Sequence, residues 1–130
     1  MAKAKVLVVE DNADNLALVR FLLERAGYEV LSTGSGLECL RIARQEKPNL
    51  ILMDLAIPEL DGWSASKELK ADPATKDIPV VALTAYTLPA DRKRAQEAGC
   101  EGFIPKPMNV VGFIHEVAGF IDRQTPKDTQ

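Results

Sequence analysis

Five residues of this sequence are of types that could act together on a phosphoryl group: Glu10, Asp11, Asp54, Thr84 and Lys106. Each comes at or just past the end of a short apolar run. Glu10 and Asp11 follow Val6–Val9, Asp54 follows Leu50–Met53, Thr84 follows Val80–Leu83, and Lys106 comes shortly after Gly102–Ile104. Three carboxylates held at one place repel each other, and without compensation one of them is driven to protonate. A hard divalent cation removes the conflict. Mg²⁺ takes oxygen ligands octahedrally and is held by a few carboxylates, water and phosphate oxygens; Mn²⁺ accepts the same ligands. Three negative charges and the Lys106 ammonium leave a deficit that one such ion neutralises. A carboxylate can also attack phosphorus and become an acyl phosphate. Asp54 follows the run expected to be most central, so it is the candidate nucleophile. Lys106 and the cation would then stabilise charge on the phosphoryl group, and Thr84 can donate a hydrogen bond to one of its oxygens.

These residues gain meaning from the elements that must carry them. Val6–Val9, Leu50–Met53 and Val80–Leu83 are short continuous apolar runs, the pattern of strands covered on both faces. Tyr28–Leu31 and Gly102–Ile104 read as two further strands. Between them lie segments of helical period. The first has Leu16, Val19, Leu22, Leu23 and Ala26 on one face, is capped by Asn12 or Asp14, and ends at Gly27. Helices are expected over about 37–45, with Leu37, Leu40 and Ala43 inward, and over about 63–70, 89–98 and 109–121. Gly34 and Gly36 mark a turn, and Pro48 stops the second helix. Five strand-then-helix repeats predict an α/β fold with a parallel sheet, helices on both faces and right-handed crossovers. Ligands bind such sheets at the carboxyl ends of the strands, where all five residues fall.

The chain has 130 residues with 46% hydrophobic and 27% charged side chains, a globular composition sized for one domain. Its net charge of −3 and pI of about 5.2 give no basic footprint, which argues against nucleic acid as a direct partner. No apolar run reaches the roughly 18 residues needed to cross a membrane, and the N-terminal run is too short for a signal peptide. Cytoplasmic residence is therefore expected. Cys39 and Cys100 form neither a disulfide framework nor a CxxC pair and read as small core residues. The expected domain spans residues 4–122. The tail 123–130 has no apolar residue and is expected to be disordered.

The stretches VLVVEDN (6–12), LILMDLAIPELDG (50–62), VVALTA (80–85) and GCEGFIPKP (99–107) together resemble the receiver domain of bacterial two-component response regulators. The chain is most similar to stand-alone receivers of the chemotaxis and cell-division kinds. The resemblance implies a flavodoxin-like, doubly wound (βα)5 fold with strand order 2-1-3-4-5. It further implies that Glu10, Asp11 and Asp54 hold Mg²⁺ together with the backbone carbonyl of Ala56, and that Asp54 is the phosphorylation site. Thr84 and Phe103 match the switch residues, Lys106 the phosphate-pairing lysine, and Lys106-Pro107 a peptide bond usually cis. Ala56 stands where methionine is frequent, and Pro105 precedes the lysine and removes a backbone donor. The implied partners are a histidine kinase or histidine phosphotransfer protein upstream and a protein target downstream, such as a kinase. The domain would catalyse only its own phosphorylation and dephosphorylation, so it is not an enzyme in the usual sense.

Several residues carry plainer readings. Pro58 and Gly62 belong to the loop after Asp54 and suit a turn. Trp63 is expected to pack rather than to anchor a partner. His115, the single histidine, lies on the last helix away from the site and is expected to be solvated. The helix over 89–98 offers only Ala95 and Ala98 to the sheet, so it is expected to be weakly docked and to form part of the switching surface with Phe103 and the last helix. Two other functions fit the same architecture. An Asp-nucleophile phosphatase normally has a second aspartate two residues after the first, where this chain has Ala56. A flavin or nucleotide carrier normally has a glycine-rich phosphate loop, and neither a GxxxxGK[ST] motif nor a strand-first GxGxxG is present.

Overall fold

The computed structural model describes residues 3–55, 62–84, 89–105 and 110–124. Strand β1 (Lys5–Val9) leads to helix α1 (Ala13–Arg25), β2 (Glu29–Thr33) to α2 (Gly36–Glu46), and β3 (Leu50–Met53) to α3 (Gly62–Ala71). Strand β4 (Val80–Thr84) leads to α4 (Pro89–Glu97), and β5 (Gly102–Pro105) to α5 (Val110–Gln124). All neighbouring strands pair in parallel, in the order β2-β1-β3-β4-β5. Parallel strands require crossovers, and the helices supply them.

Alternation along the strands sorts the side chains into two cores. Leu7, Val9, Ile51, Met53, Val80 and Ala82 face α2, α3 and α4. Val6, Val8, Leu50, Leu52, Val81 and Leu83 face α1 and α5, where Val19, Leu23, Phe113, Val117 and Ile121 meet them. The sheet is covered on both faces, which explains why its central strands read as unbroken apolar runs.

Asn12 caps α1, its side chain accepting from the Asn15 N–H at 2.9 Å, and Ser35 caps α2 by accepting from the Glu38 N–H at 3.2 Å. Helix α2 ends on Lys47, which takes the left-handed conformation at φ 48°. Its buried stripe is Gly36, Cys39, Leu40 and Ala43, and Leu37, expected to point inward, is 56% exposed. The stripe recurs at three and four residues from Gly36, and Leu37 lies about 100° away from Gly36 around the axis. Strand β2 is displaced toward the carboxyl side of its predicted span, because its register on β1 runs on to Val9 and Thr33. Helix α5 continues through Arg123 and Gln124, which the sequence assigned to the tail; residues 125–130 lie outside the described residues.

Candidate functional site

The site begins as a consequence of strand pairing. Val9, the last residue of β1, lies opposite Met53, the last residue of β3. The residues that come next, Glu10 and Asp54, therefore leave the sheet side by side, about one strand spacing apart (~4.8 Å). The ladder extends one bond further on each side: the Asp54 N–H donates to the Val9 carbonyl at 2.9 Å, and the Glu10 N–H donates to the Thr33 carbonyl at 2.9 Å. Asp11 follows before Asn12 caps α1.

The outcome is a cluster in which one carboxylate oxygen from each of Glu10, Asp11 and Asp54 lies within 4.8 Å of the other two. Glu10 is 2% exposed and Asp54 7%, whereas Asp11 is open to solvent. Carboxylates are costly to bury without a compensating partner. Glu10 receives part of that compensation from the Asn12 N–H, which donates to its Oε2 at 3.2 Å. The donor set also suits a divalent ion. Mg–O bonds of about 2.1 Å put two ligand oxygens of one octahedron roughly 3–4 Å apart, a separation these three side chains reach with little adjustment. Asp11 on the open side leaves room for water and a phosphoryl oxygen.

Thr84 is the last residue of β4 and pairs with Pro105, the last residue of β5. Both ends stand at the same edge of the sheet as the carboxylates. Pro105 lacks an amide donor but occupies an edge strand, where proline is tolerated. The side chain of Thr84 and the residues Ala56, Pro58, Lys106 and Pro107 lie outside the described residues. Phe103 is half-buried on the α4 side of the sheet, and the Arg92 guanidinium stacks over its ring at 4.9 Å.

Other expectations are settled by burial. Trp63 is 6% exposed and packs in the core, His115 is solvent-exposed, and Ala95 and Ala98 are each 2% exposed beneath α4. Cys39 is fully buried, and desolvation pushes its thiol up to about 12; burial also raises Cys100. Burial thus favours the neutral, less nucleophilic form of both thiols.

Two features escaped the sequence. Of the helix over 89–98 the sequence offered only Ala95 and Ala98 as contacts, yet Arg94 stacks over the Trp63 ring at 4.4 Å while Arg92 covers Phe103. Residues two apart on a helix diverge by about 200°, and that spacing between two aromatics is the only trace the pattern left in the sequence. Gly62 read as a turn residue but lies against the backbone of Asp54.

Residues 6–118 match the response regulator receiver domain family. The chain is 44% identical over 116 residues to the polar-differentiation response regulator DivK of Brucella ovis, an alignment covering 89% of this chain and 94% of that protein. Its structure superposes with a TM-score of 0.86 on the receiver domain of sensor histidine kinase PA1611 from Pseudomonas aeruginosa, at 32% identity and covering 93% of this chain and 99% of that one. That receiver holds a magnesium ion coordinated in its active-site cleft. The Mn²⁺-bound form of response regulator Rcp1 matches with a TM-score of 0.75 at 30% identity, covering 89% of this chain and 90% of that one. The fold, the sheet order and the match along the sequence agree: this chain belongs to the response regulator receiver domain family of two-component signalling.

Proposed function

We propose that Asp54 is the phosphoacceptor of this receiver and that Glu10, Asp11 and Asp54 hold the Mg²⁺ it uses, with Mn²⁺ able to substitute and the Ala56 backbone carbonyl as a further ligand. The observation that carries the reading is the meeting of three carboxylates from two adjacent strands within 4.8 Å. An Asp54 oxygen attacks the phosphorus of a phosphohistidine on a histidine kinase or phosphotransfer protein. The new P–O bond forms as the P–N bond breaks, and the leaving imidazole nitrogen takes up a proton. Bound Mg²⁺ supplies charge neutralisation for the phosphoryl oxygens. Lys106 pairs with the product phosphoryl group, and Thr84 donates a hydrogen bond to it. Hydrolysis of the acyl phosphate later resets the domain, which gives self-catalysis without turnover of a separate substrate.

The output is a changed protein-binding surface. Two new charge-assisted hydrogen bonds, from Thr84 and Lys106, contribute about 1.5–3 kcal/mol each. Their sum is comparable to the roughly 5.5 kcal/mol that takes a two-state equilibrium from 1:99 to 99:1. Phe103 reports the change by moving inward beside Thr84. The acidic net charge of −3 favours a protein target over nucleic acid, and the similarity to DivK favours a differentiation or cell-cycle pathway over a motor. No described helix is long and apolar enough to cross a membrane, which is compatible with action in the cytoplasm. Family membership favours this reading over a small-molecule phosphatase or a flavin carrier.

Incubation with acetyl phosphate and Mg²⁺, followed by intact mass, tests the reading. One added phosphoryl group is expected, absent in Asp54→Asn and absent when the metal is chelated. A protein that stays unmodified, or an Asp54→Asn variant modified equally, refutes it.

A further inference from the structure

The first turn of α3 lies against the backbone at the exit of β3. Gly62, the first residue of α3, donates its N–H to the Leu55 carbonyl at 3.1 Å. A Cβ placed on Gly62 would stand 2.6 Å from the carbonyl oxygen of Asp54, 2.6 Å from the Cα of Leu55 and 3.0 Å from the Leu55 Cδ2. The two shortest contacts are to backbone atoms, which no rotamer change can withdraw. The opposing walls are fixed. Helix α3 is locked by Ala65 and Ser66 at 0% and Leu69 at 1% exposure, and β3 is buried along its whole length. The atoms that a Cβ would meet are those of the strand exit, Asp54 and Leu55, so relief of the overlap displaces that exit or the first turn of α3 resting on it.

We infer that Gly62 is a positioning residue for Asp54: its missing side chain lets the first turn of α3 rest on the Asp54–Leu55 backbone and holds the aspartate in register with Glu10 and Asp11. The inference rests on the reading of Asp54 as the phosphoacceptor. The molecule supplies its own comparator. A Cβ on Gly34 would lie 3.4 Å from the Cα of Asp11 and 3.5 Å from its Cβ, ordinary contact distances. Gly34 thus borders the same cluster without bearing on its geometry. Conformational freedom does not explain Gly62 either, since only Gly27 and Gly99 among the described glycines have positive φ.

The test uses the full chain with Gly62→Ala and Gly34→Ala. Three quantities are read: amide hydrogen exchange at Asp54, the Mg²⁺ dissociation constant, and the rate of phosphorylation at saturating Mg²⁺ and acetyl phosphate. Displacements on the order of 1 Å at a reacting group can cost about a hundredfold in rate. Gly62→Ala is expected to exchange the Asp54 amide about tenfold faster or more, to weaken Mg²⁺ binding about tenfold, and to slow phosphorylation at least as much. Gly34→Ala is expected to stay within about twofold on all three, consistent with an unstrained contact. A Gly62→Ala chain that is folded by circular dichroism and matches the unsubstituted protein overturns the inference, as does equal impairment by Gly34→Ala. If Gly62→Ala is unfolded, the measurements are repeated in trimethylamine N-oxide, which favours the compact state. Normal Mg²⁺ binding there overturns the inference, and so does persistent unfolding, which would make Gly62 a folding determinant. Were the unsubstituted chain itself to take no phosphoryl group, the phosphoacceptor reading would fail, while the exchange measurement would still report whether Gly62 holds the Asp54 backbone.

Discussion

Replacing Arg92 and Arg94 together by alanine removes both guanidinium–aromatic contacts that fasten α4 to the body of the protein. Ala95 is the buried residue within the helix, and burying one methyl group contributes on the order of 1 kcal/mol. The stacks over Trp63 at 4.4 Å and Phe103 at 4.9 Å lie on either side of it. Contacts of this kind contribute about 0.5–1 kcal/mol when exposed and about 2 kcal/mol when desolvated. Both arginines are solvent-exposed, so each contact belongs near the lower figure even though Trp63 itself is 6% exposed. Their joint loss is about 1–2 kcal/mol, which raises local opening of α4 roughly 5- to 30-fold. Native-state amide exchange resolves this directly. The amides of α4 are expected to lose protection by that factor, while those of β1 and β3 keep theirs. Unchanged protection in α4 would refute the reasoning, and so would an equal loss throughout the domain, which would mean global destabilisation. On the proposed switch role of Phe103, loss of the Arg92 stack at 4.9 Å favours the inward position, so Arg92→Ala alone is expected to shift Phe103 inward in the unphosphorylated protein, visible as a change in its ring NMR resonances.

Further outcomes follow from burial and charge. Phe113 on α5 is 1% exposed, so Phe113→Ala is expected to cost about 3–5 kcal/mol in urea unfolding, whereas His115→Ala on the exposed face is expected to change stability by less than about 0.5 kcal/mol. Cys39 has its thiol raised from 9.0 to about 12 by burial. A raised folded pKa gives stability that is complete below the unfolded value and is lost as pH rises between the two. Urea titrations at about pH 8 and pH 11 are expected to show a steeper loss for the unsubstituted chain than for Cys39→Ala. Iodoacetamide is expected to label Cys39 only on unfolding. Asp72 is held below the usual carboxylate range, first by the Arg44 hydrogen bond and then by the Ala74 N–H. A lowered folded pKa gives stability that is present above the unfolded value of 3.8 and is lost as pH falls through the folded one. Arg44→Ala is expected to flatten the acid limb of the stability curve.

The architecture was legible because its driving pattern is local. Val6–Val9, Leu50–Met53 and Val80–Leu83 must be covered on both faces, and that requirement alone predicts a parallel sheet wrapped by helices. The acidic cluster was legible for the same reason, since polar residues at strand exits meet at one edge. Errors arose where a residue's neighbours are set by tertiary structure. Leu37 is apolar but lies off a stripe built from Gly36, Cys39, Leu40 and Ala43; small residues carry little signal in an amphipathic pattern. Strand β2 extends over polar Ser32 and Thr33, because backbone pairing with β1 carries it on and Thr33 is buried although polar. The stacks of Arg92 on Phe103 and Arg94 on Trp63 join different elements, and the approach of Gly62 to Asp54, though both lie within residues 50–62, depends on backbone positions that residue types do not encode.

The central claim is that one particular carboxylate, gathered with two others from the adjacent strand exit, carries the phosphoryl group. Reductive trapping with borohydride after Mg²⁺-dependent reaction with acetyl phosphate converts an acyl phosphate into the corresponding alcohol, and peptide sequencing by mass spectrometry then locates it. The account predicts homoserine at position 54 alone, and none when Mg²⁺ is chelated. Label at Glu10, Asp11 or any other carboxylate in place of Asp54 would contradict it.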